Sequence, residues 1–256
     1  MSQNFSRPDG RAPNALRPCR ITPGVMKHAE GSALVEFGST RVLCSVSVEE
    51  RVPPFLYGTG KGWLTAEYAM LPRATETRNQ RDSTRKSPNG RGLEIGRLIG
   101  RALRASLDFA ALGERTLWID CDVLHADGGT RTASITGSFV ALASALAELK
   151  SKNKLAKPVL KESIAAVSVG VYKGVPVLDL NYHEDRDADS DVNVVMTGRG
   201  GFVEVQGTAE AQAFDHEQLL EMLALARGGI EVLTAAQKKA MASIAQDGIW
   251  LDGTWP

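Results

Sequence analysis

Cysteine is scarce: Cys19, Cys44 and Cys121 are the only three in 256 residues. None forms a Cys-x-x-Cys pair, and Cys44 and Cys121 fall in apolar strand patterns. A zinc site and a disulfide framework are therefore excluded, and a reducing compartment, the cytoplasm, is expected. Charge of one sign is missing too, because 30 basic and 30 acidic residues cancel. Bulk electrostatics does not announce nucleic acid, and any basic surface must come from uneven distribution. No run approaches the ~18 apolar residues of a membrane helix. The first residues are polar and Pro-rich rather than a charged-then-apolar leader, so no membrane partner is expected. His28, His125, His183 and His216 are scattered without a His-Glu-x-x-His, and no Gly-x-Ser-x-Gly elbow supports an acyl-transfer triad. Gly58-Thr59-Gly60-Lys61-Gly62 fails as a nucleotide-binding loop: Lys61 is followed by Gly62, and Pro53 and Pro54 precede it where a strand should stand. It reads as a flexible loop.

What is present is a chain with 43% hydrophobic residues, enough for a substantial core in one large domain or two small ones. Leu117, Ile119, Cys121 and Val123 alternate toward Gly128-Gly129, and Ile135, Phe139, Leu142 and Leu146 recur at helical spacing behind them. Strand, glycine turn and helix start near Arg131 make an anion site. The first helical N–H groups lack internal partners, and the helix dipole favours negative charge there. Gly128 and Gly129 let backbone approach a ligand, Thr130 adds a hydroxyl, and Arg131 a guanidinium fork.

Around this unit the chain divides. Residues 1–24, with Pro8, Pro13, Pro18 and Pro23 among Arg7, Arg11, Arg17 and Arg20, read as an extended arm. Ala33–Phe37 and Arg41–Val48 flank Gly38-Ser39-Thr40 as a hairpin. Residues 151–158, polar and ending in Pro158, read as a linker between a first half at 1–150 and a second at 158–256. In the second half, Ile164–Tyr172 and Val175–Leu180 pair across Lys173-Gly174, and Asp191–Thr197 and Gly201–Gln206 pair across Gly198-Arg199-Gly200. Residues 215–227 read as helix, broken or weakened at Gly228-Gly229, with Thr234 capping a last helix to about Ile244.

Two charged stretches stand out. Residues 73–104 carry nine positive charges, eight of them Arg, against three negative ones. The part through Gly92 reads as a long exposed loop that includes Arg73, Arg78, Arg81, Arg85 and Lys86. The rest reads as an amphipathic helix with Ile95, Leu98, Ile99, Ala102, Leu103 and Leu107 on one face and Gly113 beyond its end. Arg91 lies where that helix begins. Arg over Lys favours planar, bidentate phosphate contacts. Glu184–Asp191 nets four negative charges in eight residues and reads as a loop. Such oxygen ligands suit Mg2+ or Mn2+ held together with waters and phosphate, and the pattern is not a calcium EF-hand. Two Arg-bearing anion sites and a carboxylate cluster point loosely to phosphoryl transfer that uses phosphate.

The chain also resembles the ribonuclease PH family of phosphate-dependent 3′-exoribonucleases. The matching segments include Lys27–Ser32, Gly62-Trp63-Leu64-Thr65-Ala66-Glu67-Tyr68, Met70–Arg73, Asp120–Leu124, Asp127–Gly137 and Asp191–Met196. The resemblance implies an α+β fold of β-β-α units, similar to a ribosomal-protein domain, with two similar halves. It implies that Arg91, Gly129, Thr130 and Arg131 bind inorganic phosphate as co-substrate. Asp185 and Asp191 match the acidic pair that binds divalent metal or acts as general acid, and Arg73, Arg78 and Arg81 match a loop that grips RNA. It further implies transfer RNA precursors and other RNA 3′ ends as substrates, no DNA, and a homohexamer built as a trimer of dimers. Asp187 and Asp189 have no role fixed by the resemblance.

Overall fold

The computed structural model describes residues 5–84, 89–210, 212–244, 248–252 and 255. Arg85, Lys86 and Pro88 of the Arg-rich loop lie outside them. The first half supplies strands β1 (Cys19–Pro23), β2 (Gly31–Phe37), β3 (Thr40–Glu49) and β4 (Trp63–Met70), helices α1 (Gly90–Arg104) and α2 (Phe109–Leu112), strand β5 (Thr116–His125) and helix α3 (Thr130–Ser151). The second supplies β6 (Ile164–Tyr172), β7 (Val175–Leu178), α4 (Tyr182–Asp187), β8 (Ser190–Thr197), β9 (Phe202–Ala209) and α5 (His216–Ala240). The sheets run β1-β2-β3-β5-β4 and β7-β6-β8-β9, and only β4 and β5 pair in parallel. The α+β expectation is met, and the three hairpin turns form where glycine placed them.

Helix α3 packs against both sheets, on β2 and β3 of the first and β6 of the second. Its composition explains this: Ala, Ser, Thr and Gly dominate up to Leu146, and it is buried along nearly its whole length. It is long and apolar enough to cross a membrane by composition, contrary to the sequence reading, but that apolarity serves the interior of the fold. Close approach needs glycine. A Cβ on Gly31 would lie 2.0 Å from the Ala141 carbonyl oxygen, and one on Gly137 would lie 2.6 Å from Val35 Cγ1. Strand β6, buried at every position, carries the near-continuous apolar run, broken by Ser168, expected of a strand covered on both faces. Buried Gln237 of α5 donates to Thr136 O at 2.9 Å and Ile164 O at 2.8 Å, stitching α5 to both α3 and β6.

Four expectations need correction. The amphipathic helix ends at Arg104, because the Asp108 carboxylate accepts from Ala110 N at 2.9 Å and starts the separate α2, which Gly113 (φ 70°) terminates. Gly228-Gly229 does not break α5. A Cβ on Gly229 would meet Leu178 Cδ1 at 2.9 Å, so the glycine there permits close packing on β7. The acidic stretch is helical in its first half, through Asp187, and ends in β8: Asn181 accepts from Glu184 N at 3.0 Å while Glu184 accepts from Asn181 N at 3.0 Å, a capping box that nucleates α4. Finally, the Pro-rich arm is threaded into the fold, with Arg7 and Arg17 only 2% and 5% exposed.

Candidate active site

The glycine turn between β5 and α3 is gripped from both halves. Gly128 (φ 74°) and Gly129 (φ 65°) are left-handed, a conformation glycine adopts without penalty. A Cβ on Gly128 would also strike Leu180 O at 2.4 Å. Thr40 Oγ1 donates to Gly128 O at 2.7 Å and accepts from Asp127 N at 3.0 Å. Arg17 donates to Asp127 O and, at 3.4 Å, to Gly128 O. Its guanidinium is in turn fixed by Asp179, through Oδ1 at 2.6 Å and Oδ2 at 3.0 Å. The turn's carbonyls are thus held on its inner side. Gly129 occupies the cap position of α3 with no side-chain cap, which leaves the first-turn N–H groups for an anion.

The residues singled out by sequence converge. Arg91, Gly129, Thr130, Arg131, Asp185 and Asp191 line one cleft of about 720 Å3. Arg91 sits in the first turn of α1. Arg131 Nη2 reaches Glu94 Oε2 at 3.5 Å, while its Nε is buried without a hydrogen-bond partner among the described residues. Gln206 Nε2, from β9, steadies the other Glu94 oxygen at 3.2 Å. Thr130 is buried, and its hydroxyl is 2.8 Å from the Tyr68 hydroxyl. Asp185 is raised above the usual carboxylate range by burial, against the pull of Arg91, Arg131 and Arg17. Asp191 is pushed up to about 6 by burial and by Asp185, although Arg131, Arg91 and the Asn193 amide oppose this. Asn193 Nδ2 reaches Asp191 Oδ2 at 3.3 Å; Oδ1 is buried with no partner among the described residues.

The remaining charges separate from this group. Glu184 is buried against Arg7, and Asp187 pairs at the surface with Arg186 at 2.7 Å. Arg73, Arg78 and Arg81 are exposed and do not line the cleft, although their neighbours Ala74–Thr77, Asn79 and Gln80 do. The described part of the Arg-rich loop, residues 73–84, therefore forms a rim. His125 and His183 line the cleft; His28 and His216 do not.

The family model for domain 1 of the 3′ exoribonuclease family, RNase PH, matches residues 15–148, and that for domain 2 matches residues 162–229. The chain belongs to the ribonuclease PH family. Its fold is similar to that of Rrp46 from rice (Oryza sativa), with a TM-score of 0.73 at 19% identity over 93% of this chain and 99% of that one. It is also similar to a chain of the Archaeoglobus fulgidus exosome with RNA bound to the active site, with a TM-score of 0.71 at 21% identity over 91% of each chain. These likenesses establish a two-domain ribonuclease PH fold with mixed sheets and helices.

Sequence reasoning missed several residues that build this ribonuclease PH-family cleft. Arg17 and Asp179 carry no local signal, since their pairing spans 162 positions. Tyr68 and Asn193 stand in strands where a polar group facing a ligand looks like one facing solvent. The elevated Asp191 carries a testable consequence. Its folded value, about 6, exceeds the 3.8 of an ordinary aspartate, so the native state holds a proton that the unfolded state releases. Stability from this group is present below pH ~4 and is lost as pH rises through ~6. In metal- and phosphate-free buffer the loss amounts to about 2–3 kcal/mol. Urea titrations at several pH values should show that trend in the natural chain and a flatter one in Asp191→Asn. Parallel pH trends in the two proteins would assign the raised group elsewhere.

Proposed function

We propose that this chain is a cytoplasmic, phosphate-dependent 3′-to-5′ exoribonuclease that trims the 3′ ends of transfer RNA precursors. Its reverse reaction adds nucleotides to RNA 3′ ends. The observation that carries this reading is the meeting of Arg91, the Gly129–Arg131 turn, Asp185 and Asp191 in one cleft. Attack of phosphate on a phosphodiester brings two anions together, and fixed cationic and N–H donors offset that repulsion. Phosphate held by Arg91 and the turn attacks the phosphorus of the terminal linkage through one of its oxygens. The bond from that phosphorus to the 3′ oxygen of the penultimate nucleotide breaks. The last nucleotide leaves as a 5′-diphosphate, and the shortened RNA keeps the 3′ oxygen, which gains a proton. Asp191, raised toward neutrality, and Asp185 beside it are the groups placed to deliver that proton.

The same pair suits Mg2+ or Mn2+. Asp191 Oδ1, buried and without a partner among the described residues, is a hard oxygen suited to a cation or donor, and these ions are commonly held by one or two carboxylates plus waters and phosphate. Such an ion supplies positive charge to the transferring phosphoryl group. Similarity to an exosome chain from a structure with RNA at its active site supports RNA as substrate and a ring-type assembly, here a homohexamer arranged as a trimer of dimers.

The reading is tested with a short 3′-tailed transfer RNA and Mg2+, with and without inorganic phosphate, by chromatography of released nucleotides. Nucleoside diphosphates that require phosphate support it. Monophosphates without phosphate mean hydrolysis, and bound RNA with no release means a catalytically silent RNA-binding subunit. Arg78→Ala should weaken RNA binding and reduce the slope of log affinity against log salt by about 1, while cleavage of a dinucleotide-sized substrate is spared. An unchanged slope would remove the rim loop from RNA recognition.

A further inference from the structure

We propose that the Tyr182 ring is the stacking platform for the base of the RNA's terminal nucleotide, a role that rests on the phosphorolytic reading above. Tyr182 is 44% exposed, yet it lines the cleft beside His183. An aromatic ring gains by burial, so one left open in a cleft awaits a flat apolar partner. Its backbone is fixed from three sides. Tyr182 N donates to Asp127 Oδ1 at 3.2 Å, which ties it to the residue before the glycine turn. The Asn181–Glu184 capping box sets the helix start, and Arg7 anchors Glu184 from below at 2.6 Å. The His183 ring meets Tyr182 edge-on, with centroids 5.7 Å apart.

Position supplies the rest of the argument. Tyr182 and Asp185 are three residues apart on α4 and so are neighbours on one helix face. A nucleotide whose phosphorus lies by Asp185 and Asp191 therefore presents its base toward Tyr182. Stacking tolerates all four bases because each has a π-face. That matches a chemistry in which every successive 3′ nucleotide must be accepted.

The test reads binding, not turnover. A short single-stranded RNA with 2-aminopurine as its 3′-terminal base is titrated with the full chain in phosphate-free buffer, and a matching RNA abasic at that position is titrated in parallel. The natural chain and Tyr182→Phe should quench 2-aminopurine fluorescence. Tyr182→Ala should not, and should bind the RNA at least about fivefold more weakly. The abasic RNA should bind all three proteins alike. Calorimetric titration with inorganic phosphate should give the same affinity for all three. Quenching that survives in Tyr182→Ala, or an equal loss of affinity for the abasic RNA, would overturn the platform. So would a changed phosphate affinity, which would mean that the neighbouring turn had moved. Natural protein that binds and quenches but never releases diphosphates would sink the phosphorolytic reading and leave the stacking result standing.

Discussion

Arg131→Ala is expected to slow phosphorolysis by roughly 30- to 1000-fold at limiting phosphate, a loss of about 2–4 kcal/mol of transition-state stabilisation. Arg131 is one of two arginines among the described residues that line the cleft where phosphate is proposed to bind, and it is held: Glu94, itself contacted by Gln206, meets one end of the fork while Nε is buried without a partner among the described residues. A donor already held in position needs little reorganisation as charge develops. Arg131→Lys should recover only part of the loss, since an ammonium cannot reproduce a planar two-donor edge. The measurement is the initial rate of diphosphate release as phosphate is varied. A rate within twofold of the natural enzyme would remove Arg131 from the phosphate site.

Arg7→Ala is expected to cost about 3–5 kcal/mol of folding stability, the usual consequence of stranding one member of a buried ion pair. Arg7 and Glu184 side chains are both 0% exposed and meet in a two-pronged contact at 2.6 and 2.8 Å. Arg7 Nη2 also donates to Asp179 O at 3.1 Å, a carbonyl that Arg11 Nη2 reaches as well at 3.0 Å, so the group most exposed to the loss is the Glu184 carboxylate. Arg11, 3.2 Å from Glu184 Oε2, is the residue best placed to soften the effect. Removing Glu184 as well should cost less than the sum of the single changes, and urea unfolding of the four proteins of that cycle measures the coupling. A single-variant cost below about 1 kcal/mol would mean that Arg11 or water replaces Arg7. Activity should fall further than stability alone accounts for, because Glu184 adjoins Asp185 on α4.

The contrast between these two arginines shows what a sequence discloses. Arg131 stands in a local frame of alternating strand, glycine pair and apolar helix, and each part is periodic or conformational, hence visible over a dozen residues. The hairpins at Gly38, Gly174 and Gly198–Gly200 were readable for the same reason. Arg7 sits in a proline-rich segment of the kind that ordinarily lies at the surface, and its burial depends on a carboxylate 177 positions away, which no local pattern encodes. The parallel pairing of β4 with β5 is hidden likewise. Two misreadings were local in origin. Asn181 followed three residues later by Glu184 is a legible capping box, but the density of charge around it suggested a loop. Gly228-Gly229 has poor helix propensity, and tertiary packing on Leu178 overrides it. Of the candidate site, the anion turn and the acidic stretch were legible in the residues, and the choice of Asp185 and Asp191 within that stretch came with the family resemblance, whereas Arg17, Asp179 and Glu94 were not legible.

The long-range clamps also bear on how the protein is born. A chain leaving the ribosome exposes Arg7 and Arg17 long before Glu184 and Asp179, separated from them by 177 and 162 positions, have been added. At ordinary elongation rates that interval is on the order of ten to thirty seconds. Once β5 has been made the first sheet can assemble, but until β6 follows α3 has nothing to cover its other side, and until residue 179 is added the glycine turn has no Asp179-anchored brace. The cleft is therefore among the last parts to take shape. A nascent chain stalled before residue 164 should present an apolar helix to chaperones rather than a working phosphate site.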